Sequence, residues 1–187
     1  MTDVPTNTSA TAGNYATLNP VVSSRKNALT YSNANLTASC GAAWSGGIST
    51  ILLPLNGTDK WYAEIGTSTG ITDNEATIGI TSLISNVVGG VTFHSSSNSG
   101  VWYNSNGKKL IDGTETVYGA TWTNSDIMGI AVDSSANTVT FYKNNTSQGS
   151  ISYSGTSITA GQTAIAIDLY GITTNINFGQ RPFTYTP

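Results

Sequence analysis

Hydrophobic and polar residues alternate along most of the chain after about residue 28. Six segments show the alternation most clearly, and their apolar residues are Trp61, Ala63 and Ile65; Ile78 and Ile80; Met128, Ile130 and Val132; Val139 and Phe141; Ile165, Ile167 and Leu169; and Ile176 and Phe178. A period of two places one set of side chains on each face of an extended strand, so it predicts half-buried antiparallel strands with one wet face. No window of about 11 residues shows the stripe of a helix.

Short polar turns connect these segments. Two of them, Asp133–Asn137 and Lys143–Thr146, have the length of hairpin turns, and Asn144 and Asn145 can adopt the positive φ angles that such turns require. Roughly ten short strands joined by turns rich in Gly, Asn and Ser are typical of a sandwich. The sequence therefore predicts an all-β fold, an antiparallel two-sheet β-sandwich.

The first 20 residues differ from the rest because they lack any hydrophobic period. We interpret residues 1–20 as an extended polar arm that ends in an Asn19-Pro20 turn, and residues 21–187 as the sandwich domain. The arm could stay disordered. We favour docking on a neighbouring subunit by strand addition, through Asn14, Tyr15 and Leu18, since it has few charges to oppose pairing.

Composition and charge argue against several classes of function. Only 9% of the 187 residues are charged, against roughly 25% in an average domain, and 7 basic and 10 acidic residues give a net charge of −3. Scattered basic residues on an acidic chain argue against nucleic-acid binding, which needs clustered Lys and Arg. The single cysteine excludes an intramolecular disulfide. We expect no signal peptide and no membrane insertion, because the N-terminal residues lack the required pattern and no apolar run approaches about 20 residues.

From Lys60 onward the chain resembles the SPRY family. The segments that show the resemblance, in order, are Lys60–Ile65, Ala76–Ile80, Tyr118–Trp122, Ser125–Asp133, Val139–Asn144 with Gln148-Gly149, and Asn177–Phe183. Ser125 and Asn145 stand at turn positions where the family usually has glycine. The resemblance implies two packed sheets of jelly-roll-like, concanavalin A-like topology and a non-enzymatic binding role that uses loops.

The two ends of the chain resemble SPRY-type proteins encoded by tailed phages. The similar segments are Asn14–Pro20 and Asn177–Phe183. This resemblance implies a structural protein of the virion, which decorates the capsid or tail, contacts other virion proteins and forms a homo-oligomer in the particle. The dense Ser, Thr and Asn content fits such a neutral contact surface.

A receptor-binding or glycan-binding module is the alternative. In the segment 101–109, Trp102 and Tyr103 are adjacent, so alternation predicts that one faces outward, and we expect Trp102 in the core and Tyr103 exposed. The predicted contact residues for a host surface protein or glycan are His94, Trp102, Tyr103, Asn104, Asn106 and Lys108. A plain polar surface is equally consistent with this composition.

Catalysis is the least favoured hypothesis. Residues 66–70 match the G-x-S-x-G nucleophile elbow around Ser68, but no helical pattern follows and His94 is the sole histidine. A polysaccharide-cleaving enzyme would need two facing carboxylates, for which Glu64, Asp73 and Glu75 are the candidates.

Metal binding has equally weak support. The candidate calcium pairs are Asp133 with Asn137 and Asp168 with Asn175, and His94 with Cys40 is too small a set for zinc. The turn chemistry of Asp and Asn explains these residues better, so we expect neither a metal nor a cofactor.

Overall fold

The computed structural model describes residues 15–23, 28–67, 70–71, 74–83, 93–95, 97 and 99–185. Within them the chain forms fourteen strands: β1 (Leu18–Ser23), β2 (Thr30–Ser32), β3 (Thr37–Ser39), β4 (Ser45–Ser49), β5 (Lys60–Thr67), β6 (Ala76–Ser82), β7 (Val101–Asn104), β8 (Lys108–Ile111), β9 (Thr114–Val117), β10 (Ile127–Asp133), β11 (Thr138–Lys143), β12 (Thr146–Ser152), β13 (Thr163–Leu169) and β14 (Thr173–Asn177). None of these residues form an apolar helix of membrane-spanning length.

The strands make two antiparallel sheets of seven. The first sheet has the order β1-β4-β13-β6-β7-β8-β9 and the second the order β12-β11-β10-β5-β14-β3-β2. Their inner faces enclose one large apolar core. The predicted all-β sandwich is confirmed.

The second sheet follows the predicted alternation. Trp61, Ala63 and Ile65 of β5 point into the core, as do the predicted apolar residues of β10 and β11. The residues between them face outward and are half-buried at several positions, including Tyr62 and Thr140. This sheet therefore has one dry face and one wet face.

The first sheet departs from the predicted pattern, since strands β4, β6, β7 and β13 are buried on both faces. A second apolar cluster covers its outer face and consists of Ile48, Phe93, Trp102, Leu110, Ala164 and Ala166. Gly46 of β4 leaves room for the Phe93 ring, and Gly79 of β6 leaves room for Trp102. The prediction of one wet face per strand is wrong for these four strands.

The predicted boundary between arm and domain falls inside β1. Leu18 is fully buried, and the described residues 18–23 pair with β4 of the same sheet. Tyr15 packs beside Gly179, with ring carbons 3.2 Å from where a Cβ on that glycine would lie. Leu18 therefore packs in the core of its own chain and is not free to dock on a neighbouring subunit. The prediction that Leu18 is a docking residue of the arm is wrong. Asn14 and residues 1–13 lie outside the described residues.

The predicted hairpins are present. Residues 134–137 connect β10 to β11, and Asn144 and Asn145 connect β11 to β12 with φ angles of 48° and 67°. The Asp133 carboxylate accepts hydrogen bonds from the backbone N–H groups of Ser135 and Ala136 at 2.9 and 3.1 Å. Turn chemistry therefore explains Asp133, as expected from the sequence.

Candidate functional site

The aromatic pair predicted for ligand contact is buried. Trp102 is fully buried on the outer face of the first sheet, and its indole N–H donates to the Ser99 carbonyl at 2.9 Å. Tyr103 is also fully buried, in the core between the sheets, where its hydroxyl donates to the Ala120 carbonyl. The prediction that Tyr103 is exposed is wrong, because Tyr103 points into the core between the sheets; the outward residue is Trp102, which the second apolar cluster covers.

The other predicted contact residues have structural partners. Asn104 is buried and its amide donates to Asn74, while Asn106 accepts the backbone N–H of Lys108 at 3.0 Å within the β7–β8 turn. Lys108 forms a salt bridge of 2.8 Å with Glu115 of β9. The six predicted residues therefore do not form one exposed surface.

His94 is bound to a buried carboxylate. Its Nδ1 lies 2.8 Å from Oδ2 of Asp168, and its backbone N–H donates to the same oxygen at 3.2 Å. The imidazole packs on the Trp44 indole at a centroid distance of 4.4 Å and is only 10% exposed. In hydrolytic triads, a carboxylate orients the catalytic histidine in a similar way. Ser68, the candidate nucleophile from the sequence, lies outside the described residues. The described contacts anchor residues 93–94 to the first sheet.

The two described carboxylates among the candidates belong to different sheets, with Glu64 on β5 of the second sheet and Glu75 directly before β6 of the first. Glu64 is 4% exposed, and its two oxygens accept the backbone N–H groups of Thr184 and Tyr185 at 2.8 and 2.7 Å. The Glu75 carbonyl accepts the backbone N–H of Tyr170, and Asp73 lies outside the described residues. Glu64 therefore fastens the C-terminal segment to the outer face of the second sheet.

Replacing Glu64 by glutamine is expected to lower the free energy of unfolding by about 1–3 kcal/mol. An amide offers one acceptor oxygen where the carboxylate offers two, so one backbone N–H loses its partner. Urea unfolding measures the loss. Glu115→Gln, which removes an exposed salt bridge, is the control and should cost less than about 1 kcal/mol. Equal losses in the two variants would contradict the role assigned to Glu64.

The predicted calcium pair of Asp168 and Asn175 is separated by the fold. Asp168 lies on β13 of the first sheet, and Asn175 lies on β14 of the second sheet, where its side chain accepts the Thr37 hydroxyl at 2.6 Å. In the described ranges, no three His, Cys, Asp or Glu side chains gather as a metal-ligating group. Asp168 and Asn175 cannot share one cation.

A depression on the outer face of the second sheet is the strongest candidate site, and we call it the tyrosine groove. It has a volume of about 450 Å³ and is lined by Lys60, Trp61, Tyr62, Ala131, Val132, Asp133, Thr138, Thr140, Tyr142 and Ser150. Its floor is formed by β5, β10 and β11, which the topology brings side by side although β5 is distant in sequence. None of these groove residues is among the contact residues predicted from the sequence.

Glycine shapes the groove. A Cβ on Gly129 of β10 would lie 2.7 Å from the Tyr62 hydroxyl oxygen, so only glycine lets that ring lie across the strand. The edge of the Phe183 ring packs on Tyr62 at a centroid distance of 4.8 Å. The C-terminal segment held by Glu64 therefore supports one of the two tyrosine rings.

The groove is polar but nearly neutral. Lys60 and Asp133 form a salt bridge of 2.9 Å, and the hydroxyls of Thr140 and Ser150 lie 2.6 Å apart. Burial, reinforced by the Glu64 carboxylate, raises the pKa of the Tyr62 phenol well above its usual range. The uncharged Tyr62 phenol and the hydroxyls of Thr140 and Ser150 therefore face any ligand over the physiological pH range.

Raised tyrosine pKa values predict loss of stability in alkali. Burial raises the pKa of Tyr31 and of Tyr118 to about 12, and it also raises those of Tyr62, Tyr103 and Tyr153. A raised pKa in the folded state gives stability that is fully present below pH 10 and is lost as the pH rises toward the folded-state value. We expect unfolding and tyrosinate absorbance to rise together above about pH 10–12. Ionisation of all nine tyrosines near pH 10 without unfolding would contradict this.

A second depression lies toward the other end of the same face, beside β14. It has a volume of about 440 Å³ and is lined mainly by Glu64, Asp126, Asn175, Asn177, Arg181 and Thr184. Partial burial acts to raise the pKa of Asp126, but hydrogen bonds from the Thr123 backbone and the Asn144 amide, together with the nearby Lys143 ammonium, outweigh it and lower the pKa. Its acidic side chains have partners within the chain, so we regard this pocket as secondary to the groove.

A family model for the SPRY domain matches residues 60–181, about two thirds of the chain. The chain belongs to the SPRY family. The SPRY fold is also found in solved structures: the SPRY domain of human HERC1 is 14% identical with a TM-score of 0.69, covering 88% of this chain and 99% of that domain. Another human SPRY domain is 12% identical with a TM-score of 0.64, covering 83% and 97%.

Stonustoxin contains a similar domain. It is 16% identical with a TM-score of 0.57 over 87% of this chain, which corresponds to 26% of the toxin chain. A search of curated protein sequences gives no significant match. At these identities the solved structures establish the SPRY fold alone, and membership of the family identifies a protein–protein interaction module.

Proposed function

We propose that this SPRY chain is a non-enzymatic structural component of a phage particle, which binds another virion protein through the tyrosine groove. The observation that supports the site is the groove itself, where the Tyr62 and Tyr142 side chains line a depression together with the hydroxyl-bearing residues Thr140 and Ser150. Tyrosine is enriched at protein interfaces because it combines apolar area with a polar tip.

The low charge of the groove favours a neutral partner segment. Its one basic and one acidic side chain already pair with each other, so a strongly charged ligand would find no free counter-charge there. An uncharged polypeptide segment rich in small and polar residues can pack on the rings and bond to the hydroxyls of Thr140 and Ser150. We therefore propose a partner of that chemistry.

The virion assignment rests on the sequence. The segments Asn14–Pro20 and Asn177–Phe183 resemble SPRY-type proteins of tailed phages, and the dense Ser, Thr and Asn content suits many neutral contacts in an assembly. The proposed location is the phage particle, on the capsid or tail, as a homo-oligomer.

A pair of arginine substitutions tests the site. Ala131 lies on the groove floor opposite Tyr62 and Thr140, so Ala131→Arg fills the groove without entering the core. Ser154→Arg places the same charge on an exposed loop outside it. We expect wild type and Ser154→Arg to co-purify with particles and Ala131→Arg to be lost at least tenfold. Retention of Ala131→Arg would overturn the site, and absence of the wild-type chain from particles would overturn the virion role.

Three of the residues predicted to bind a receptor or glycan are not available to such a ligand. Tyr103 and Trp102 are buried, and His94 is held by Asp168. Nothing in the described part of the chain favours that alternative over a protein partner.

A further inference from the structure

The two sheets end in four edge strands, β1 and β9 on the first and β12 and β2 on the second. An edge strand presents unpaired backbone N–H and C=O groups that can pair with another chain, and folds usually block such edges. Within the described part of the chain, the four edges differ in whether such blocking features are present.

Three edges are blocked or short. On β1, Pro20 has no N–H, and the Asn19 side chain accepts the N–H groups of Val21 and Val22 at 2.9 and 3.3 Å. On β12, the register with β11 shifts beside Gly149, whose φ is 106°, which bends the strand. Strand β2 has only three residues.

Strand β9 has none of the blocking features of β1 and β12. Its four residues, Thr114–Val117, pair with β8 in unbroken register, contain no proline or glycine and are all exposed. Val117 is 86% exposed, and the only charge on the strand, Glu115, is already paired with Lys108. Three of the four residues are β-branched, which favours extended pairing.

We propose that β9 is a self-association edge, which pairs antiparallel with β9 of a second copy of this chain across a two-fold axis. Such an interface uses one patch twice, the commonest symmetry in homo-oligomers. A second copy of β9 is a suitable partner because the strand has no unpaired charge that would repel an identical strand. The proposal does not depend on the tyrosine groove, which lies on the other sheet.

Strand chemistry also specifies the register. In an antiparallel pair, two residues that face each other either both direct their backbone N–H and C=O groups toward the other strand or both direct them away. The two-fold axis must therefore lie between two copies of the same residue, and it cannot lie between neighbouring positions. An axis at Glu115 would place two carboxylates opposite each other, which is unfavourable. An axis at Thr116 places Glu115 opposite Val117 of the second copy and leaves the charges apart.

Cysteine cross-linking tests this register in the full chain, with Cys40→Ser as background. Opposed residues have Cα atoms about 4.5–5.5 Å apart, within disulfide range, so Thr116→Cys should give a linked dimer on mild oxidation. Thr114→Cys is the matched control, since its copies would lie about 14 Å apart. We expect at least tenfold more dimer from Thr116→Cys, and equal yields would overturn the proposed pairing.

A pair of valine substitutions tests the edge without cross-linking. Val117 and Val21 are 86% and 88% exposed on opposite edges of the same sheet, so lysine at either site should leave the fold intact. Sedimentation should show that wild type and Val21→Lys dimerise and that Val117→Lys does so at least tenfold more weakly. Equal association of the two variants, or a wild type that stays monomeric at its highest soluble concentration, would overturn the proposal.

Discussion

Replacing Gly79 by alanine is expected to cost about 3 kcal/mol of folding free energy, the upper end of the usual cost of overpacking. A Cβ at this position of β6 would lie 2.2 Å from the Val101 carbonyl oxygen and 2.9 Å from the Trp102 Cα. Both are backbone atoms of the neighbouring strand, so relief requires β6 and β7 to move apart and lose ladder hydrogen bonds. Urea or thermal unfolding, or loss of soluble protein, reports the effect.

Gly66→Ala is the matched control. Gly66 also lies within a strand, but a Cβ there meets no atom within 4 Å. The added methyl group restricts the unfolded chain, so we expect a change of less than about 1 kcal/mol. A Gly79→Ala variant as stable as Gly66→Ala would contradict the close approach of β6 and β7.

Replacing Phe93 by alanine is expected to cost about 3–5 kcal/mol. The ring is 1% exposed and lies so close to Gly46 that a Cβ there would meet it at 2.4 Å. Its removal uncovers the outer face of the first sheet, where Trp102 lies. We expect lower unfolding free energy and a red shift of tryptophan emission.

Phe183→Ala is the control for Phe93→Ala. Phe183 is only half-buried and contacts Tyr62 through its edge, so its loss should cost clearly less than the loss of Phe93. Unchanged stability and emission in Phe93→Ala would contradict a covered outer face.

The two sheets differ in how well the sequence predicts them. In the second sheet, bulky apolar residues alternate with polar ones, and the period of two correctly assigns Trp61, Met128 and Phe141 to the core. In the first sheet, Ala164 and Ala166 occupy the outward positions of β13 and are buried as well. Small apolar residues at outward positions are a usable signal of a covered face.

The candidate site was harder to predict because it depends on contacts between distant segments. Alternation placed Tyr62 outward, but nothing local shows that β10 lies between β5 and β11. Glu64 and Thr184, which are 120 residues apart, come together only in the fold. The Trp102–Tyr103 prediction failed for a related reason, since it assumed that one face of β7 is wet.

The family and the geometry together give a consistent account. Membership of the SPRY family identifies an interaction module, and the groove, the proposed site, has a nearly neutral surface with tyrosine side chains and hydroxyls. The side chains of this proposed site sit on a regular strand floor, whereas the sequence predicted binding through loops. Such a floor needs little ordering on binding, which favours affinity.

A reconstruction of the phage particle tests the proposed role and the proposed site together. We expect this chain to be present and a segment of another virion protein to cross the tyrosine groove in contact with Tyr62 and Tyr142. A chain bound in the particle with that face open to solvent would contradict the proposed site, and particles without the chain would contradict the proposed role.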